Sequence, residues 1–305
     1  MKHKMLKIPK FFKRLKSQPI EVVLFFCASF SIIVLFLMLL FTVKEGFFAF
    51  SKFGLNLILG QRWDTNRNMY GAFPLIYSSF MVVSGALMIS VPLGVSTSIF
   101  IVEVMPFSLR DIFKSTIELL ASIPSVIYGF IGKITLAPFI ASLFGLFSGE
   151  NALTASVILA VMTTPTIIGI SGEIIAAVPK DYKEAALALG ATKWQTVKGI
   201  VLPLSKSGIL ASVMLGFGRA IGETIAVLMV AGNVAKIPTP PWNYLDPVYP
   251  VTAVIAMQMG EAAVGSLEYS ALFGLGLILF VITFIVNTLA DLIVKKGSLK
   301  RGAKL

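Results

Sequence analysis

Long apolar runs separated by short polar stretches set the pattern of this chain. A helix needs about 20 apolar residues to cross the hydrocarbon of a bilayer. Six runs meet that length: 20–43, 74–102, about 117–147, 152–176, 208–231 and 270–294. They predict an all-helical protein with about six transmembrane helices. The third run carries Pro124 and Pro138, which either break the helix and free backbone groups or simply kink it; the fourth carries Pro165. Between the fifth and sixth runs, residues 233–269 begin with the Pro-rich stretch KIPTPPWNYLDPVYP and continue into a moderately apolar run, 251–264, interrupted by Gln258, Gly260 and Glu261. That run is too short and too polar for a span and predicts an interfacial or re-entrant helix.

Composition agrees with a membrane assignment. Of 305 residues 56% are hydrophobic and only 13% are charged, against roughly 25% charged in a soluble domain. The net charge of +11 does not predict a nucleic-acid partner, because the Lys and Arg residues lie mainly between and outside the apolar runs. They cluster in four segments: the tail before the first run (Lys2 to Lys16), the loop with Arg110 and Lys114, the loop with Lys180, Lys183, Lys193, Lys198 and Lys206, and the tail from Lys295 to Lys304. Six spans place all four on one side, which the positive-inside rule makes the cytoplasm. Both termini are therefore expected there. The first run is too long for a signal-peptide core and reads as a retained span. A single cysteine, Cys27, excludes an intrachain disulfide, and with one histidine, His3, no transition-metal site is expected. Trp63, Trp194 and Trp242 fall outside the apolar runs, where interfacial anchoring is the simplest reading.

One cytoplasmic segment stands out. Residues 184–203 read EAALALGATKWQTVKGIVLP, too polar to span yet flanked by apolar runs. Glu184, Ala185 and Ala186 open a helix-favouring stretch, and Gly190 permits a turn. Gln195 to Leu202 suit a second short helix, which Pro203 follows. Such a helix–turn–helix is either a rigid knob for a soluble partner or an ordinary amphipathic loop at the interface.

The register of Glu184-Ala185-Ala186, Gly190 and Ile200-x-Leu202-Pro203 resembles the EAA loop of type I ABC-importer permeases. Three further blocks, YGAFPLIYSSF (70–80), IELLASIPSVIYGF (117–130) and GFGRAIGETIAVLMVAGN (216–233), are similar to the C-type membrane subunit of bacterial phosphate-specific importers. The resemblance covers about 70 to 294. It implies the MetI-like permease fold, in the plasma (inner) membrane of a bacterium, with a permease domain over 74–294. Before that domain come a basic tail (1–19), a first helix (20–43) and an external loop (44–73); a basic tail (295–305) follows it. It also implies partners: a related A-type permease, two ATPase subunits carrying ATP and Mg, and an extracytoplasmic phosphate-binding protein. Glu184, Ala185, Ala186, Gly190, Leu202 and Pro203 would couple to the ATPase. No cofactor is expected in the chain itself.

Within the fifth run, Arg219 and Glu223 are ionisable residues at mid-membrane depth, which usually face a cavity and have a partner. At i and i+4 on a continuous helix they share one face. Two readings fit: an anion path in which the guanidinium binds a phosphate oxyanion bidentately and Glu223 moderates its grip, or a structural ion pair between helices. The resemblance favours the first. Glu118 and Lys133 on the third run are candidates for the same path or for interfacial and paired roles; Glu173 and Asp181 read as caps or partner contacts. GFIGKIT (129–135) lacks the first Gly of a P-loop, GFGRAIG (216–222) follows no strand, and no Walker A motif occurs, so ATP hydrolysis is expected on another subunit. The alternatives are the same architecture for another solute, such as sulfate or molybdate, an ion-gradient-driven transporter, or a membrane sensor.

Overall fold

The computed structural model describes residues 19–302; the expected basic tail up to Lys16 lies outside them. Among the described residues six helices are long and apolar enough to cross a membrane. The first, α1 (Pro19–Phe53), runs past the expected end at 43 and includes Lys44, Glu45 and Lys52, so the loop expected from 44 begins as helix. A short helix α2 (Asn56–Leu59) and a two-stranded hairpin, β1 (Trp63–Asp64) with β2 (Met69–Tyr70), lead into α3 (Phe73–Ile99). After α3 the chain makes a π-helical turn over Phe100–Val104 and then α4 (Phe107–Ser122).

The third apolar run divides differently from its hydropathy. Ile123 and Pro124 are extended (ψ 129° and 139°), so the helix ends at Ser122 and a new one starts at Ser125. Residues 117–122 therefore belong to the amphipathic α4, and the span proper is Ser125–Phe144. It comprises α5 (Ser125–Ile131), a π-helical turn (Gly132–Leu136) and α6 (Ala137–Phe144). Pro124 breaks the chain, because a residue before proline is pushed out of the helical region. Pro138 does not: it sits in the first turn of α6, where its missing N–H and its ring are accommodated by the widened π turn.

The span α7 (Ala152–Ala176) is the central helix, 61% of its most apolar window being buried against 0% for α1. Its neighbours reach it through small residues, as packing in a membrane requires. A Cβ on Gly94 of α3 would lie 2.8 Å from Ile167, and one on Gly85 would lie 2.6 Å from the Ser156 hydroxyl. Ser171 and Ser212 bridge α7 to the next span at 2.6 Å.

After α7 come α8 (Lys180–Ala188), α9 (Lys193–Thr196), a third π-helical turn (Val197–Val201) and α10 (Leu202–Gly222). The last three form one long helix, 193–222. Pro203 therefore does not end a separate short helix as expected. It enters α10 in its first turn, directly after the π turn. The fifth span starts earlier than expected and stops at Gly222. Glu223 is extended (ψ 132°), and α11 (Ile225–Val230) follows as a separate short helix.

The segment 233–266 folds back over the end of the bundle opposite α8. Its apolar run forms α12 (Val251–Gln258), shorter than the stretch expected. This helix is inserted rather than superficial. Val251, Ala253 and Val254 are buried, and the Ser79 and Ser78 hydroxyls on α3 accept hydrogen bonds from the Val251 and Tyr249 N–H groups. The last helix, α13 (Leu267–Gly302), packs on α1 and carries the backbone of the expected basic tail as helix through Gly302. Trp63 is not an interfacial anchor. It is 7% exposed, packs against Tyr70 and donates to the Gln258 Oε1 at 3.0 Å, whereas Trp194 and Trp242 are exposed. Burial pushes the Tyr249 phenol upward, and burial with the Glu268 carboxylate does the same to Tyr70, so both stay neutral.

Candidate functional site

Two breaks in the helices meet around Arg219. The first, at Ile123–Pro124, leaves the last carbonyls of α4 without the i+4 N–H donors of a continuing helix. The Tyr128 hydroxyl donates to the Leu120 carbonyl at 2.8 Å, and Arg219 Nη2 reaches the Ala121 carbonyl at 3.5 Å. Arg219 Nη1 also donates to the Thr166 hydroxyl on α7 at 2.8 Å. The guanidinium is thus held by a hydroxyl and a carbonyl, neither of them charged, and its side chain is exposed. A fixed, unneutralised guanidinium retains donors for an incoming oxyanion.

The second break, at Glu223–Thr224, corrects the expected pairing. Because α10 ends at Gly222, Arg219 and Glu223 do not share a continuous helical face. Instead the Glu223 Oε1 accepts from the Ala226 N–H at 3.3 Å, capping α11, and its backbone carbonyl accepts from the Thr252 hydroxyl at 2.9 Å. Glu223 therefore ties the broken span to α12. Thr166, which positions Arg219, escaped the sequence reading; a hydroxyl in an apolar helix gives no signal of its own.

Below Arg219, a cavity of about 180 Å³ opens between α3, α4 and α7. Lys114, Glu118 and Glu173 line it together with Ala121, Pro165 and Gly169. Glu118 and Glu173, expected at an interface or as caps, are exposed along this cavity. Lys133 lies apart from it. Lys133 Nζ pairs with the Glu150 carboxylate at 3.1 Å, near the end opposite α8, which takes up its charge locally. Among the described residues no group of His, Cys, Asp or Glu is placed to hold a metal.

The EAA segment forms the helix–turn–helix that its sequence suggests. No residue of α8 is buried, and Glu184, Ala185 and Leu187 are exposed. Gly190 has φ +84°, a left-handed turn with open space where a side chain would project. Thr192 then starts the second helix with a reciprocal cap: its hydroxyl accepts from the Gln195 N–H, and the Gln195 side chain accepts from the Thr192 N–H at 2.7 Å. A further residue, Glu103 in the π turn after α3, pairs with Lys183 of α8 at 2.6 Å. A carboxylate at the end of an apolar run was a legible signal for it.

Comparison with known proteins bears on this arrangement. The family described as "Binding-protein-dependent transport system inner membrane component" matches residues 90–297. The chain is 38% identical to the phosphate transport system permease protein PstC of Mesorhizobium japonicum, over 84% of this chain and 83% of that one. It is 39% identical to the "Probable ABC transporter permease protein YqgH" of Bacillus subtilis, over 71% and 69%. Among solved structures, a bacterial alginate ABC transporter in complex with an alginate-bound periplasmic protein superposes with TM-score 0.64 at 16% identity, covering 94% of this chain and 98% of that one. The MetNI methionine ABC transporter in an inward-facing conformation gives 0.55 at 18% identity, covering 74% and 94%. At these identities the structures establish the fold, that of MetI-like permeases.

Proposed function

This chain belongs to the family of binding-protein-dependent transport system inner membrane components, and on that premise we infer that it is the permease subunit of an ATP-driven importer of inorganic phosphate. It is a multi-pass protein of the bacterial inner membrane. The observation that carries the substrate is the similarity to phosphate permeases over most of both chains. The geometry of Arg219 supports it from the chemical side, because a guanidinium held by neutral partners suits a tetrahedral oxyanion.

The chain performs no covalent chemistry in this reading. ATP and Mg are bound and hydrolysed on two separate ATPase subunits, which the exposed α8 and its turn at Gly190 engage. A related A-type permease completes the translocation path on the exposed side of Arg219, and an extracytoplasmic binding protein delivers phosphate at the end covered by 233–266. Both termini lie in the cytoplasm. Closure of the ATPase pair moves α8 as a rigid body, and the spans respond by opening outward. The coupling is reciprocal: delivery from outside favours the ATPase-closed state.

The test is uptake by the assembled importer. The chain is co-purified with its genomic neighbour permease, ATPase and binding protein, and reconstituted in proteoliposomes. ATP-dependent uptake of labelled phosphate that resists excess sulfate is expected. A complex whose ATPase responds to a binding protein loaded with a different solute, and which moves no phosphate, would overturn the substrate and leave the importer.

A further inference from the structure

We propose that the Glu103–Lys183 ion pair is the strut through which the EAA helix drives the second membrane span, a positioning role that rests on the importer reading above. Lys183 Nζ and Glu103 Oε1 are 2.6 Å apart. Their side chains are 19% and 14% exposed, whereas the cation of every other described ion pair is at least 49% exposed. The pair lies beside a groove of about 350 Å³ walled by Ile99, Leu187, Trp194 and Val197. Water screens this pair less than it screens the exposed pairs, so its mutual attraction is reduced less by salt.

What makes this pair mechanical is the poverty of other attachments. No residue of α8 is buried. The chain enters it through buried Val178 and leaves through Thr196 and Val197, so the ends of the EAA segment are anchored and its first helix is not. Lys183 gives the middle of α8 a direct grip on a different span. Glu103 sits in the π turn Phe100–Val104, where Met105 N–H bonds back to the Phe100 carbonyl at 2.9 Å. That turn closes α3, the helix with the most extensive packing on the central α7. A displacement of α8 by an ATPase subunit therefore reaches α3 from the middle of α8 through this short polar contact, in addition to the apolar packing of Ile99 and Val102 on Val178 and Val201 where the segment is anchored. From α3 it passes to the α3–α7 interface beside the Arg219 site. Without the contact, α8 keeps only the apolar packing at its anchored ends, and its middle has no polar tie to α3.

The experiment compares the assembled importer carrying Glu103→Gln, Lys183→Met or the exchange Glu103→Lys with Lys183→Glu. Three quantities are read at equal amounts of intact complex: phosphate uptake, basal ATP hydrolysis, and the stimulation of hydrolysis by loaded binding protein. Each single variant is expected to retain the ATPase and hydrolyse ATP basally. Each should lose at least tenfold in uptake and most of the stimulation, raising the ATP spent per phosphate. The exchange is expected to recover a substantial part of both. Single variants with uptake and stimulation within twofold of the parent overturn the strut. So does an exchange no better than the singles, which would mean that the groove needs these residues for shape alone. Parent importer that moves no phosphate but shows stimulation by another loaded binding protein refutes the substrate, not the strut, and the stimulation readout still decides between the outcomes above.

Discussion

The Arg219 guanidinium is held by the Thr166 hydroxyl of the central helix at 2.8 Å, not by the carboxylate of Glu223. This separates two functions that an i, i+4 spacing would merge. The arginine keeps a charge that no carboxylate among the described residues pairs, and the glutamate organises the broken end of its own span. Arg219→Ala is expected to lower phosphate uptake at least tenfold in a complex that still assembles. Arg219→Lys should fall between, since an ammonium keeps the charge and loses the planar fork. Loss of assembly in the alanine variant would instead make Arg219 a structural residue.

Thr166→Val tests what orients that guanidinium. The replacement keeps the branched shape on α7 and removes the acceptor. Arg219 is exposed, so water can replace the lost acceptor at little cost in stability, but an Arg219 released from Thr166 should spend less time in its present orientation. Uptake is expected to fall severalfold with thermal stability of the purified complex nearly unchanged. Equal uptake at every phosphate concentration would show that the carbonyl of Ala121 and the surrounding helices position the arginine unaided.

Glu223 offers a sharper discrimination. If it acts as a cap, its oxygen matters and its charge does not. Glu223→Gln should then support near-parental uptake, because the amide oxygen can still accept from the Ala226 N–H. Glu223→Ala should cost about 1 kcal/mol of stability, as loss of a helix cap does, and lower uptake with it. A Gln variant as inactive as the Ala variant would return the carboxylate charge to the transport path.

Much of this architecture was legible in the sequence because lipid imposes a simple rule: backbone groups are satisfied inside helices, and the helices must be apolar. The fourth run matches α7 at both ends, since Asn151 caps its start through the Thr154 N–H and Pro179 follows soon after its end. Several of the misplaced boundaries lie where a backbone break or a π turn falls inside an apolar run. Ile123-Pro124 and Glu223-Thr224 interrupt helices without a change in hydropathy, and a window over 117–147 or 208–231 cannot see them. Pro203 misled in the opposite direction, since the π turn before it lets the helix continue. The residues around Arg219 were partly legible. Charge in an apolar run announces the arginine, but its partners Thr166 and Ala121 come from other spans, and only the packing of α4, α7 and α10 brings them together. Glu103 carried a readable signal, but its pairing with Lys183 did not.

Gly85 marks the contact that holds the folded-back segment in place. A Cβ there would lie 2.6 Å from the Ser156 hydroxyl and 2.7 Å from the Tyr244 ring. The Tyr244 hydroxyl donates to the Met81 carbonyl at 3.1 Å, so the ring stands in the seam between α3 and α7. Gly85→Ala is expected to destabilise the chain by roughly 1–3 kcal/mol, as overpacking does, and to expose 236–249 to limited proteolysis from the outer face. Unchanged melting and unchanged cleavage would mean that the seam widens at no cost.

The turn at Gly190 separates conformation from contact in the EAA segment. Nothing lies within 4 Å of where a side chain would begin, so a substitution meets no steric barrier, but φ is +84°. Asn tolerates a left-handed backbone far better than a β-branched residue. Gly190→Asn is therefore expected to leave ATPase association and uptake near parental values. Gly190→Val should shift the angle between α8 and α9 and weaken both, while the protein remains in the membrane in normal amount. Glu184→Lys complements it. Glu184 is exposed and its side chain makes no hydrogen bond or ion pair among the described residues, so reversing its charge is expected to leave the permease itself intact, and any loss of ATPase co-purification reports on the docking surface. If Glu184→Lys and Gly190→Val both retain the ATPase and full uptake, α8 and its turn do not form the docking surface, and the strut at Glu103–Lys183 would have no motion to transmit.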